Sequence, residues 1–196
     1  MLKVALTGGI ATGKSYVLAR LNDRSIPTID ADDLVHQAFA PDTPTTRAIT
    51  TEFGEAFLST DGSIDRAALA AKVFTDPEAR HQLEAIVHPF VYTAIRAWFD
   101  TLDRPIGVAS IPLLYETGRE HDFDFVAVTV CPPEVQLQRL IKRDHASEES
   151  ARQRIAAQMP ADEKAARGNF VIHTGGPKLE TDRQVGELVA RLDRLT

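Results

Sequence analysis

The chain has 196 residues, a net charge of −6, and 43% hydrophobic and 26% charged residues, which suits one mid-sized α/β domain with insertions. Its acidic balance argues against nucleic acid or an anionic membrane as the main partner, and no apolar stretch nears the ~18 residues of a membrane span. The one cysteine, Cys131, excludes an internal disulfide and ends an apolar run, where a buried thiol is expected. Met1 is followed almost at once by a strand, so no signal peptide is expected and the cytoplasm is the default location.

Val4 to Leu6, apolar on both faces, predict a central parallel strand. It leads into Gly8-Gly9-Ile10-Ala11-Thr12-Gly13-Lys14-Ser15, which fits G-x-x-x-x-G-K-[ST] without a mismatch. Glycines let the backbone turn tightly and aim its N–H groups inward, and the helix that follows points its positive end at the same spot. Lys14 adds a charge for β- and γ-phosphates, and the Ser15 hydroxyl suits a Mg²⁺ ligand. A glycine-rich βα turn that binds nothing is the alternative. Chance, however, gives the four fixed positions in fewer than about one chain in a hundred of this length, and here they lie after a strand and before a helix. That helix, to about Asn22, carries Val17, Leu18 and Leu21 at core spacing.

Ile26 to Ile29 predict a second strand, and Pro27 near its start puts it at or near an edge. It runs into Asp30-Ala31-Asp32-Asp33, acids at the carboxyl end of a parallel strand, where ligands bind in open α/β sheets. Asp30 or Asp32 could instead cap the following helix; for Asp30 the two readings weigh evenly, and for Asp32 the functional one is favoured. From Ala40 to Phe99 the pattern is helical, broken at Pro41, Pro44, Gly54 and the Asp61-Gly62 turn. Asp65 caps a helix from Arg66 to Phe74, and Asp76-Pro77 opens another. Leu83, Val87, Val91, Ile95 and Trp98 lie on one apolar stripe, and Pro89 inside it predicts a kink or break. This much helix exceeds an ordinary crossover and reads as an inserted substrate-binding region.

Ile106 to Ile111 predict a third strand, ending in Pro112-Leu113-Leu114-Tyr115-Glu116, and Phe125 to Val130 a central fourth. A helix from about Pro133 to Arg143 carries Arg139 and Arg143 on one face. Ser147 caps a helix bearing Arg152 and Arg154, which Met159-Pro160 ends, and a short helix stops at Gly168. The basic residues between the fourth and fifth strands are either a solvated helical hairpin or an arginine lid closing over phosphates. Phe170 to His173 form the last strand, and Leu179 to Leu195 an amphipathic helix. The histidines lack metal-ligand spacing and read as structural or surface groups, His88 as a hydrogen-bonded core residue.

Five strands with a P-loop on the first and a basic insert before the last describe a small kinase. The chain closely resembles the dephospho-coenzyme A kinase family. The resemblance rests on Leu6-Thr7-Gly8-Gly9-Ile10 with Gly13-Lys14-Ser15, Ile29-Asp30-Ala31-Asp32, Gly62-Ser63-Ile64-Asp65-Arg66 with Leu69, and Val73-Phe74. It continues in Leu83-Glu84-Ala85-Ile86-Val87-His88-Pro89, Pro112-Leu113-Leu114-Tyr115-Glu116, Arg139…Arg143-Asp144, and Arg154-Ile155 with Gln158.

The resemblance implies a three-layer α/β fold of the nucleoside-monophosphate-kinase type with a five-stranded parallel sheet. Residues 1–196 would form a single P-loop kinase domain, with 33–100 a helical acceptor-binding insertion and 139–167 an arginine-rich lid. The implied reaction moves the ATP γ-phosphoryl group to the ribose 3′-hydroxyl of dephospho-CoA, with Mg²⁺, in a cytoplasmic monomer or small homo-oligomer that binds neither nucleic acid nor membrane. Gly8, Gly9, Ala11, Thr12, Gly13, Lys14, Ser15 and Tyr16, with Arg154, would hold the nucleotide, and Ser15 the metal. Lys14, Asp32, Arg139 and Arg143 would be catalytic: Asp32 orients the acceptor hydroxyl and the arginines neutralise the moving phosphoryl group. Asp32, His88, Leu113 and Glu116 would bind the acceptor.

The sequence also departs from the family. Ala11-Thr12 stand where Gly-Ser/Ala is usual, so Ala11 needs an ordinary backbone conformation or some strain, and Tyr16 replaces a small hydroxyl residue. Ser110 replaces an Asp that often ends the third strand, leaving the carboxylate ligand for Mg²⁺ from that strand open. Thr174 and Asn169 replace a common Asn and Asp, leaving the adenine contacts open. Another small-molecule kinase on the same frame, or a nucleotide-binding regulator without transfer chemistry, are the competing expectations.

Overall fold

Short apolar runs punctuated by turns produce five strands: β1 (Leu2–Gly8), β2 (Thr28–Asp30), β3 (Ile106–Ser110), β4 (Phe125–Val130) and β5 (Phe170–His173). In the computed structural model, which describes residues 1–196 apart from the side chain of Phe74, they form one parallel sheet in the order β2-β3-β1-β4-β5. The chain divides into two compact units, Met1–Asp30 with Leu102–Thr196, and Ala31–Thr101.

The first unit holds the sheet. β1 is longer than the apolar run alone predicts, because the Leu2 N–H donates to the Pro105 carbonyl at 2.7 Å. β2 starts at Thr28 and occupies the sheet edge; Pro27, just before it, has no N–H to give, but its carbonyl accepts from Val108 at 3.0 Å. Alternation along the strands puts Val4, Leu6, Val108 and Ala127 on one face, packed with Val17 and Leu21 of α1 (Lys14–Asn22) and with Val185, Leu188 and Leu192 of the last helix (Lys178–Asp193). The opposite face is covered by the short helix Ala161–Arg167, which packs on β1 and β4, giving three layers.

Register fixes the business end of the sheet. Ser110 lies opposite Leu6 on one side and Asp30 on the other, so β1, β2 and β3 deliver the phosphate-loop sequence, Asp30 and the Pro112–Glu116 turn to one edge. In open parallel sheets that carboxyl edge is where ligands bind.

The second unit is helical: α2 (Ala31–Ala38), α3 (Pro44–Phe53), α4 (Arg66–Thr75) and α5 (Pro77–Thr101). One antiparallel bridge, Leu58 with Ile64, closes the Asp61-Gly62 turn. Asp65 caps α4 by accepting from the N–H groups of Ala67 and Ala68, and Asp76 does the same for Glu78 and Ala79. Of the kink or break expected at Pro89, the break does not occur: α5 runs through it for 25 residues. Proline removes the donor that the Ala85 carbonyl would use, but Ala85 and Pro89 are both exposed, so water can serve that carbonyl. Val87, Val91, Ile95 and Phe99 stay buried on the other side of the helix, which packs against α2, α3 and α4.

Candidate active site

The loop after β1 is shaped by what crowds it. A Cβ on Gly8, whose φ is 149°, would sit 2.3 Å from Thr129 Oγ1 and 2.5 Å from the Thr129 carbonyl, so β4 excludes any side chain there. Thr12 Oγ1 donates to the Gly9 carbonyl at 2.7 Å and pairs with Thr129 Oγ1 at 2.8 Å, pinning the inside of the loop to the sheet. Gly13 enters α1 at φ 94° and offers no side chain to cap it, which leaves the positive helix end for a ligand. Ala11 takes the strained alternative at φ 58°, a left-handed conformation that costs a residue with a Cβ about 1–2 kcal/mol.

Lys14 lies across this loop. Its ammonium donates to the Gly8 and Gly9 carbonyls at 2.9 and 3.1 Å, which sets the charge at the loop itself. Ser15, the next residue, is exposed on the first turn of α1. On the neighbouring strand ends, the Ser110 hydroxyl is buried with no hydrogen-bond partner, beside Asp30 in the register.

Four basic residues after β4, Arg139, Arg143, Arg154 and Lys164, are each held by a partner. On α6 (Pro133–Asp144), Arg139 donates to Thr174 Oγ1 at 3.1 Å and to the Thr174 carbonyl at 2.6 Å, while Thr174 Oγ1 donates to the Thr12 carbonyl at 2.6 Å. Arg143 and Arg154, the latter on α7 (Glu148–Ala156), converge on Asp144. Arg143 binds both carboxylate oxygens at 2.6 and 3.0 Å, and Arg154 donates to Oδ2 at 2.5 Å. The hydrogen bond from Arg143 foremost, with that from Arg154, holds the Asp144 carboxyl well below its ordinary value of 3.8, at about 2. Lys164, on α8 (Ala161–Arg167), is fully buried and donates to the Pro112 carbonyl and to Glu116 Oε1, both at 2.8 Å. The Met159 N–H donates to the same Glu116 oxygen at 3.0 Å.

Such a cradle is common to many nucleotide-binding proteins, and comparison with known proteins separates them. The family model described as dephospho-CoA kinase matches residues 2–178. The chain belongs to the dephospho-CoA kinase family. It is 46% identical to the dephospho-CoA kinase of Anaeromyxobacter dehalogenans over 90% of this chain and 85% of that one. With the Syntrophotalea carbinolica dephospho-CoA kinase it shares 41% identity over 98% of this chain and 92% of the relative. The solved dephospho-CoA kinase of Campylobacter jejuni superposes with a TM-score of 0.72 at 26% identity, covering 98% of this chain and 97% of that one. As a member of that family the protein is a kinase that transfers phosphate from ATP.

Within this dephospho-CoA kinase family member, the structure brings together Gly8, Gly9, Ala11, Thr12, Gly13, Lys14 and Ser15 in one loop, with Arg139 joined to it through Thr174. Tyr16 turns to the last helix, α9 (Lys178–Asp193), instead. Its hydroxyl donates to Asp182 at 2.8 Å, which raises its pKa, and Arg20 and Lys178 lie over its ring at 5.3 and 5.4 Å. Glu116 is committed to Lys164 and Met159, and Leu113 lies half-buried in the turn after β3. In the other unit, Asp32 is exposed on the first turn of α2, where its carbonyl contacts His36 Nδ1 at 2.9 Å. His88 is half-buried on α5, edge-on to Tyr92 at 6.0 Å. Cys131 is buried, which pushes its thiol pKa up.

The sequence assigned no role to Thr129 or Gln136, and placed Lys164 only within the basic lid segment, 139–167. Gln136 and Lys164 left one usable trace: each is a polar residue on the buried side of an amphipathic helix, where a partner is required.

Proposed function

We propose that this protein phosphorylates the ribose 3′-hydroxyl of dephospho-CoA, using the loop from Gly8 to Ser15 to hold the β- and γ-phosphates of ATP. The observation that carries this reading is Lys14 lying across the Gly8 and Gly9 carbonyls at the open N-terminus of α1 in a chain of this family. Phosphoryl transfer passes through a loose transition state, so its catalysis is positioning and charge stabilisation. Lys14 and the loop amides position the donor. Arg143 and Arg154, already gathered at Asp144, neutralise the equatorial oxygens. Arg139 steadies Thr12 through Thr174.

Asp32, two residues past the end of β2, orients the acceptor hydroxyl and accepts its proton late; a carboxylate is a weak base, so orientation is the larger part. His88 and the surrounding helices, residues 33–100, supply acceptor contacts, with Leu113 from the turn after β3, while 139–167 form the lid. Glu116 contributes by fixing that turn.

The residues fit Mg²⁺. Among the described residues no group of three or more His, Cys, Asp or Glu forms a metal cage. The orphaned Ser110 hydroxyl, Asp30 beside it and Ser15 are nevertheless hard oxygen donors of the type an ion sharing substrate phosphates requires. Bound there, Mg²⁺ would neutralise charge on the β- and γ-phosphates. Among the described residues no helix is long and apolar enough to cross a membrane.

The test is ADP release across dephospho-CoA, nucleoside monophosphates and shikimate. Turnover with dephospho-CoA alone is expected, lowered by orders of magnitude in Lys14→Ala, while Asp32→Asn loses turnover more than ATP affinity. Turnover only with another acceptor, or near-wild-type turnover in Asp32→Asn, would contradict the assignment.

A further inference from the structure

Ile10, at the tip of the phosphate loop, has both of its main-chain polar groups taken by side-chain amides. Its N–H donates to Gln158 Oε1 at 2.7 Å, and its carbonyl accepts from Gln136 Nε2 at 2.8 Å. Gln136 comes from α6 and is buried; Gln158 comes from the turn that follows α7, just past its C-cap at Ala157. The approach is close. A Cβ on Gly9 would lie 2.9 Å from Gln136 Nε2, so the second glycine of the loop leaves room for that amide, while Gln158 Oε1, at 3.8 Å, stands at ordinary contact distance.

The clamp sits at the point where the loop is least willing to hold its shape. Ala11, the next residue, is at φ 58°, where a side chain is disfavoured and surrounding contacts must determine the conformation. Behind Gln158 the chain is itself anchored, since the Met159 N–H reaches Glu116, which binds buried Lys164. A fixed point in the protein therefore grips the Ile10 peptide, and the carbonyl of Gly9, one residue earlier, is one of the two that receive Lys14. Gln158 also stands four residues after Arg154, so the same bond registers the arginine-bearing helix on the loop.

We infer that Gln158 is a positioning residue for phosphoryl transfer, holding the Ile10–Ala11 turn in its nucleotide-binding form together with Gln136. The inference rests on the assignment of this loop to the ATP phosphates. A glutamine suits the task because its neutral carbonyl oxygen accepts from the Ile10 N–H without placing an anion beside phosphates.

The experiment compares wild type, Gln158→Ala, Ala11→Gly, the double variant and Lys14→Ala by steady-state kinetics in both substrates, with ADP binding by titration calorimetry. Loss of one such hydrogen bond is expected to raise KM for ATP about three- to tenfold and weaken ADP equally, with KM for dephospho-CoA unmoved. Glycine adopts the left-handed conformation unaided, so the penalty of Gln158→Ala should shrink at least about threefold in the Ala11→Gly background. An unchanged KM for ATP, equal losses for both substrates, or the same penalty in both backgrounds would overturn the positioning role. A Lys14→Ala variant with full ADP affinity and turnover would instead remove the assignment of the loop on which the role is built.

Discussion

Replacing Lys164 by methionine tests whether the turn after β3 is held by a buried charge. The side chain is 0% exposed and its ammonium donates to Glu116 and to the Pro112 carbonyl, while the Glu116 side chain, 21% exposed, also accepts from the Met159 N–H. Methionine keeps most of the volume, so packing is conserved and the loss is electrostatic. Removing one partner of a buried pair costs about 3–5 kcal/mol, because the remaining charge and the carbonyl lose their partner. Partial access of water to Glu116 places this case at the low end, about 3 kcal/mol. For a chain of this length that is a fall in melting temperature of roughly 6–12 °C, measurable by scanning calorimetry and urea titration. A second replacement, Glu116→Gln, removes the stranded anion, so the double variant should regain about half of the loss. A Lys164→Met cost below about 1 kcal/mol, or losses that simply add in the double variant, would refute the argument.

Asp144 supplies a pH test. Its carboxyl, held at about 2 against an ordinary 3.8, stabilises the folded state above roughly pH 4 and loses that contribution as pH falls through about 2. The full linkage is at most about 2.4 kcal/mol, and solvent screening around a side chain 23% exposed reduces it to about 1 kcal/mol. Asp144→Asn should therefore lower stability near neutral pH by that amount and flatten the acid limb of a melting-temperature profile; an unchanged limb would show that the pair carries no linkage. Pro89→Ala restores a donor for the exposed Ala85 carbonyl within a continuous helix, and should raise stability by about 1–3 kcal/mol in urea unfolding. A loss of stability there would mean that the proline supports a bend the helix requires.

The frame was legible because its signals are local. The strand–glycine loop–helix order, the start of β2 next to Pro27, and the caps at Asp65, Asp76 and Ser147 each follow from a few neighbouring residues. Pro89 left a kink and a break both open, because the backbone rule does not say which side of the helix meets water. The phosphate loop was legible as a motif but not in its supports: Thr129, Gln136, Gln158 and Thr174 lie 117 to 162 residues away from the loop positions they bond. No periodicity encodes those contacts. Ala11 was readable as a choice between two conformations, and only the supports explain how the left-handed one is maintained.

The same distinction explains how an acidic protein presents itself to a polyphosphate. Net charge counts its basic residues as outnumbered, yet those after β4 are distributed by partner. Arg139 is tied to a carbonyl and a hydroxyl of the loop after β5, Lys164 is neutralised in the interior, and Arg152 pairs with Glu148 on the surface of α7. Arg143 and Arg154 are different: two guanidinium groups from two helices share a single carboxylate, leaving that cluster with a surplus positive charge. Asp144 thereby prevents the two cations from separating and fixes long side chains that would otherwise have to be ordered when phosphate arrives. Its cost is a weaker local field than two free arginines would give; on the proposed assignment, the surplus is what would attract the transferring group. If the proposed assignment holds, positioned charge rather than total charge is the quantity that suits this surface to its substrate.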